Sequence, residues 1–113
     1  MSIHTKRLEG MLVREISDIL MTEAKDEDLK FVTITSMDLA NDLSYAKVYF
    51  QTLNEDKEKI TKELNEASGF IRAILKKRKL DIRIMPELKF IYDDSMEYGN
   101  NIDSLIDKIK KED

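Results

Sequence analysis

Cysteine is missing altogether from this chain, which excludes disulfides and thiolate chemistry and makes an intracellular, cytoplasmic setting the natural expectation. Proline occurs once and glycine three times, too few for a flexible linker, and no low-complexity tract or repeat is evident. The sole histidine, His4, lies near the N-terminus with no partner in sequence, and there is no phosphate-binding glycine loop or nucleophile motif. No apolar run is long enough for a membrane span. The opening Met1-Ser2-Ile3-His4-Thr5-Lys6-Arg7 also lacks the apolar core of a secretion signal. These absences argue against an enzyme, a cofactor, a structural metal or a membrane partner. They leave one domain, residues 1–113, large enough for a single core.

What the chain does have is charge, and the charge is segregated. Hydrophobic residues make up 42% and charged residues 37%, as suits a well-solvated globular protein, and the net charge is -4. Against that acidity, Arg72, Lys76, Lys77, Arg78, Lys79 and Arg83 fall within fourteen residues opposed only by Asp81, a segment of +5 that leaves -9 for the remainder. Such asymmetry points to one polyanion-facing surface, with nucleic acid as the leading partner class.

Periodicity places this cluster. Leu8, Met11, Leu12, Ile16, Ile19 and Leu20 recur at helical spacing, predicting a helix from Lys6 to Ala24 with Thr5 as N-cap and Lys25-Asp26-Glu27-Asp28 as the following loop. Phe31 to Thr35 favours a strand over Lys30 to Asp38. After an Ala40-Asn41-Asp42 turn, Ser44 to Gln51 alternates, with Ala46, Val48 and Phe50 on one side and Tyr45, Lys47, Tyr49 and Gln51 on the other. The two strands should form an antiparallel hairpin.

From Asn54, Ile60, Leu64 and Ala67 make one helical stripe, and Phe70, Ile71, Ile74 and Leu75 extend it across Ser68-Gly69 as one long helix or two joined there. Leu80 to Asp93 alternates again, with Ile82, Ile84, Leu88, Phe90 and Tyr92 in phase, and Pro86 implies an edge position or a bulge. A last helix is expected from Met96 to about Lys110, capped by Ser95, with Ile102, Leu105, Ile106 and Ile109 inward. The expected fold is therefore α+β, a three-stranded sheet with helices packed on one face. The other face stays wet and carries Thr33, Thr35, Tyr45, Lys47 and Arg83. No exposed apolar stripe is left over, so a monomer is expected.

The order α-β-β-α-(kink)-α-β-α is that of a type II K-homology (KH)-like domain. KH domains grip nucleic-acid backbone through a Gly-x-x-Gly loop. With only Gly10, Gly69 and Gly99, this chain cannot build one and carries Ala67-Ser68-Gly69 in its place. Three segments, 42–50 (DLSYAKVYF), 66–72 (EASGFIR) and 86–95 (PELKFIYDDS), together resemble the ribosome-binding factor A family of bacterial small-subunit assembly factors. The resemblance covers nearly the whole chain. It implies a non-catalytic protein that binds the free 30S subunit and its rRNA late in maturation, supports processing of the 5′ end of precursor 16S rRNA and growth in the cold, and leaves before translation. Ribosomal proteins and other assembly factors are further partners it implies. Some members carry a longer tail after the position of Asp113, whose role is not carried over.

The candidate RNA contacts follow. Arg72, Lys76 and Lys79 share one helix face by their spacing, and Lys77, Arg78 and Arg83 widen it. A solvated helix C-terminus, where cations are favoured by the dipole, is the plainer reading of such a cluster taken alone. Lys6, Arg7 and Arg14 form a second basic patch, which Glu9 and Glu15 could instead neutralise. Tyr45, Lys47 and Tyr49 could stack bases, though β-propensity alone accounts for exposed tyrosines on a strand. Ala67, Ser68 and Gly69 would shape the RNA-facing surface through the kink, unless Gly69 merely allows close packing. Asp93, Asp94 and Glu97 are the only carboxylates that resemble a metal site in sequence, and helix capping explains them better. The competing function is a protein–protein adaptor whose basic patch meets an acidic partner.

Overall fold

A computed structural model describes residues 3–95 of the chain. The elements run α1 (Ile3–Thr22), α2 (Glu27–Lys30), β1 (Val32–Leu39), β2 (Tyr45–Thr52), α3 (Lys57–Glu66), α4 (Ser68–Lys77) and β3 (Glu87–Tyr92). The helix expected over Met96 to Lys110 lies outside the described residues, as does Glu97. β2 is the central strand, antiparallel to β1 and parallel to β3. The helices cover one sheet face, α1 against β1, and α3 and α4 against β3.

Helical periodicity put α1 in the right place but not its start. The helix already includes Thr5, which is buried within it and not at its N-cap. Leu8, Leu12, Ile16, Ile19 and Leu20 are buried along one stripe, with Met11 half-buried beside them. The second half of the segment expected as a loop belongs to the single turn α2, which runs on to Lys30, because the Asp26 side chain accepts the Asp28 backbone N–H at 3.0 Å and Leu29 is drawn into the core.

β1 buries Val32 and Ile34 and then Met37 and Leu39, a change of parity that simple alternation cannot produce. A bulge makes the change. Ile34 pairs with Phe50 and Ser36 with Tyr49, so Thr35 is the extra residue, and Thr35 and Ser36 both point outward. β2 has no such break, and Ala46, Val48 and Phe50 are fully buried. The connecting turn closes through Leu43 N–H to Ala40 O and Ala40 N–H to Tyr45 O, each 2.9 Å, with Leu43 at φ 65.

α3 is capped by Asp56, whose side chain accepts Lys59 N–H at 3.1 Å. α3 and α4 meet at Ala67 (φ -84, ψ -4), where the Ser68 hydroxyl donates to Asn65 O at 2.8 Å and competes for a helix carbonyl. Two joined helices are therefore present, and Ile71 and Leu75 are buried. Phe70, expected inward, is 49% exposed instead. Gly69 is not there for close packing, since a Cβ added to it would meet nothing within 4 Å.

β3 starts only at Glu87, later than the apolar alternation suggested. Residues 80–86 form an irregular connection in which Ile84 is 44% exposed and Pro86 is buried, so Arg83 stands on this connection and not on the sheet. β3 is an edge strand, as the proline suggested, but Pro86 precedes it. Its outer edge is met by Asn65 of α3. The side-chain carbonyl accepts Phe90 N–H at 2.8 Å, and the side-chain amide donates to Phe90 O at 3.0 Å. This pair of bonds replaces a neighbouring strand at one position of the open edge.

Candidate nucleic-acid interface

The six cations of the central cluster separate into two groups. Arg72 sits mid-way along α4 and donates through Nε to Pro86 O at 2.9 Å and through Nη2 to Met85 O at 3.1 Å. It latches the 80–86 connection onto the helix. Arg78, the C-cap of α4, places Nη1 2.6 Å from Glu15 and Nη2 2.9 Å from Asp18, tying the end of α4 to α1. The hydrogen bond to Glu15, then that to Asp18, holds the Arg78 guanidinium above its ordinary pKa. Both arginines are half-buried and occupied by protein groups.

Lys76, Lys77, Lys79 and Arg83 are exposed and have no side-chain partner among the described residues. Lys76, Lys79 and Arg83 line one shallow depression of about 230 Å³ with Leu75, Leu80, Ile82 and Met85 at its base. Lys79 takes φ 52, the left-handed conformation that lets the chain leave a helix and that usually falls to glycine. A lysine held there presents its ammonium at the helix end. Arg72 and Arg78 fasten the segment that carries these four to the 80–86 connection on one side and to α1 on the other.

The α1 patch is placed differently. Lys6, Arg7 and Arg14 are exposed, and the glutamates expected to neutralise them are engaged elsewhere. Glu9 accepts Leu39 N–H at 2.8 Å and Glu15 takes Arg78. Through the Arg78 bridge the second half of α1, with Arg14, adjoins the end of α4, whereas Lys6 and Arg7 lie two turns earlier. On the open sheet face Tyr45 and Tyr49 are half-buried, and exposed Lys47 stands in register with Asp38 on β1 and Lys89 on β3. This mixture of signs makes the sheet a weaker phosphate surface than the α4 end.

Asp93 uses its carboxylate as a cap, accepting the Thr35 hydroxyl at 2.7 Å and Ser95 N–H at 2.9 Å. The bond from Thr35, followed by those from Ser95, lowers its pKa. Sequence reasoning missed a different carboxylate group, in which oxygens of Asp26, Asp28 and Glu63 lie within 4.8 Å of one another. Lys59 Nζ stands 3.5 Å from Asp28 and 4.0 Å from Glu63, so an internal cation already serves this group. Glu15, Asp18 and Asn65 were also missed, since their partners lie 25 residues or more away in sequence. No described helix is long and apolar enough to cross a membrane.

A two-layer α+β domain of this order, with a kink at Ala67 in place of a glycine loop, defines a KH-like fold. The chain belongs to the ribosome-binding factor A family, matching it over residues 4–106. It is 44% identical to ribosome-binding factor A of Legionella pneumophila over 110 residues, covering 96% of this chain and 89% of that protein. It is equally similar, at 44% over 114 residues, to that of Staphylococcus epidermidis, covering 99% and 97% of the two chains. Among solved structures it resembles the crystal structure of ribosome-binding factor A from Thermus thermophilus, with a TM-score of 0.69 and 26% identity over 77% of this chain and 93% of that one. A Thermus thermophilus homology model fitted into a cryo-EM map of a 30S complex with the factor is similar at a TM-score of 0.64 and 25% identity, covering 78% and 93%.

Proposed function

We propose that this protein is a cytoplasmic ribosome assembly factor that binds the free small subunit through rRNA, acting as a monomer and without catalysis. Binding would occupy immature rRNA, favour one of its conformations during 5′-end processing of precursor 16S rRNA, particularly in the cold, and keep the subunit from translating until release. Family membership supports the partner class. The single observation that carries the contact surface is the quartet Lys76, Lys77, Lys79 and Arg83, exposed and unpaired among the described residues at the end of α4. Arg14 is the α1 cation best placed to extend it. In this reading Arg72 and Arg78 position the quartet, and the Ala67–Gly69 kink sets the direction of α4.

Co-sedimentation with purified small subunits, large subunits and whole ribosomes across a salt series tests the proposal. Retention should be selective for small subunits. Four phosphate contacts would give a slope of log affinity against log salt of roughly -3 to -4. Lys76→Glu with Lys79→Glu should abolish retention while leaving the thermal transition in place. Equal binding to all three particles would overturn the reading. A complex with a cellular partner that survives nuclease treatment would favour the adaptor function instead.

A further inference from the structure

Away from the basic quartet, the C-terminal end of α1, α2 and the α3–α4 junction enclose an open groove of about 430 Å³. Its floor is apolar, made by buried Ile19, Leu20, Leu29 and Ile71, with Phe70 exposed at its edge. Its rim is acidic. Asp26, Glu63 and Glu66 line it, against Lys25 as the one lining cation. α1 ends beside it with no basic residue in its last turn, so the negative end of that dipole adds to the same field. The C-terminus of α3 abuts the N-terminus of α4 at Ala67, and those two dipoles offset each other. Lys59 neutralises only part of the rim, since it stands 3.5 Å from Asp28 and 4.0 Å from Glu63 and forms no ion pair with Asp26 or Glu66 among the described residues.

We propose that this groove docks a cationic, amphipathic protein segment, seating an apolar side chain against Phe70 and Ile71 with lysine or arginine over Asp26, Glu63 and Glu66. The argument is charge complementarity over an apolar floor. Phosphate is disfavoured here, because the lining sets three carboxylates against one lysine within a Debye length of about 8–10 Å of any backbone laid across the groove. An amphipathic segment satisfies both the apolar floor and the rim, as helix-in-groove recognition requires. The molecule then has two contact surfaces of opposite sign, cations at the end of α4 for nucleic acid and carboxylates at the kink for protein. The docking proposal does not depend on the ribosomal reading.

The test is an NMR titration of the ¹⁵N-labelled full chain with a synthetic amphipathic peptide of leucine, lysine and arginine. A control peptide has every leucine replaced by serine at equal charge, and a single-stranded oligoribonucleotide is the third probe. The leucine peptide should shift the amides of Leu29, Phe70 and Ile71 saturably, and the serine peptide should bind at least tenfold more weakly. Glu66→Lys combined with Phe70→Ser, both away from the buried core, should weaken the leucine peptide at least tenfold. The same variant should leave the oligoribonucleotide response at Lys76 and Lys79 unchanged. The proposal is overturned if both peptides bind equally, or if neither peptide shifts the groove. Oligoribonucleotide shifts at Phe70 and Ile71 would assign the groove to RNA, and concentration-dependent shifts without peptide would assign it to a second copy of the chain. The serine-peptide comparison on the unaltered protein decides the matter even if the double variant folds poorly.

Discussion

Arg78→Ala separates the two uses of positive charge most sharply. By sequence Arg78 belongs to the basic cluster proposed to meet RNA, yet its guanidinium is held by Glu15 at 2.6 Å and Asp18 at 2.9 Å. A hydrogen bond to a charged group contributes about 1.5–3 kcal/mol, and the Glu15 pair falls at the lower end because the two side chains keep 24% and 29% exposure. The Asp18 pair is more open, with 53% exposure of the carboxylate, and contributes no more than about 0.5–1 kcal/mol after screening. Both carboxylates can hydrate once the arginine is gone, so no buried charge is stranded. The expected loss is about 2 kcal/mol, or roughly 8 °C in Tm for a domain of this size.

Thermal unfolding by circular dichroism, paired with subunit or rRNA affinity measured well below Tm, reads both quantities. Arg78→Ala should lower Tm and leave the salt slope unchanged. Arg78→Lys should recover only part of the loss, because a single ammonium reaches two carboxylates at longer range than a planar fork, as Lys59 does at 3.5 Å and 4.0 Å from Asp28 and Glu63. A double-mutant cycle with Glu15→Ala should give a coupling of about 1 kcal/mol or more. The reasoning is refuted if Arg78→Ala shifts Tm by less than about 2 °C while weakening RNA binding tenfold, since the roughly 2 kcal/mol assigned to the bridge would then be absent.

Lys79→Gly should act in the opposite sense, raising stability by about 1 kcal/mol through relief of the left-handed backbone while weakening RNA binding, as chemical denaturation and a filter-binding assay would record. Asn65→Ala leaves both Phe90 backbone groups at the edge of β3 without their side-chain partner, and should cost about 2–4 kcal/mol and speed amide exchange at Phe90. Asn65→Asp restores the acceptor but not the donor and should recover only part of that. Glu63→Gln should raise Tm at pH 7, because the hydrogen bond and charge of Asp26 outweigh Lys59 and lift the Glu63 pKa above its ordinary 4.5. A carboxyl with a raised folded pKa favours the fold below its unfolded value and loses that contribution as pH rises, so the gain should shrink as pH falls toward about 4. Asp93 runs the other way: its depressed pKa stabilises the fold above the ordinary 3.8 and is lost on further acidification, so Asp93→Asn should lower Tm at pH 7 more than at pH 3.

The sheet was legible in the sequence wherever two-residue alternation was unbroken, as in Ala46, Val48 and Phe50, and α1 wherever the helical period was. Local periodicity failed where tertiary demands changed the phase. Thr35 became a bulge so that Met37 and Leu39 could face the same core as Val32 and Ile34, and no single-strand pattern announces an extra residue. The start of β3 was misplaced because Ile82 and Ile84 happen to continue the alternation of Leu88 and Phe90 across a connection held by Arg72. Phe70 fits the helical stripe of Ile71 and Leu75, but past the kink that position faces the groove edge. The basic cluster was visible as composition, yet which of its members are free is decided by Glu15, Asp18 and two loop carbonyls far away in the chain.

One signal for that division was present in the residue types themselves. The two cations turned inward are arginines, and each makes two hydrogen bonds at once, Arg72 to successive carbonyls and Arg78 to two carboxylates. A lysine can also bridge two acceptors, as Lys57 does to Thr52 O and Asn54 O, but from a single nitrogen. The guanidinium reaches its two acceptors from separate nitrogens held in one plane. The positions left to solvent are lysines at 76, 77 and 79, where a mobile point charge can follow an irregular phosphate path. Arg83 is the exception that this logic makes informative. It is an exposed arginine beside Lys76 and Lys79 whose fork has no partner among the described residues. Of the four free cations among the described residues of this cluster, it alone can grip a phosphate through two parallel hydrogen bonds. If the proposed RNA contact surface holds, fixing the orientation of the RNA would fall to Arg83, while the lysines would supply the longer-range attraction.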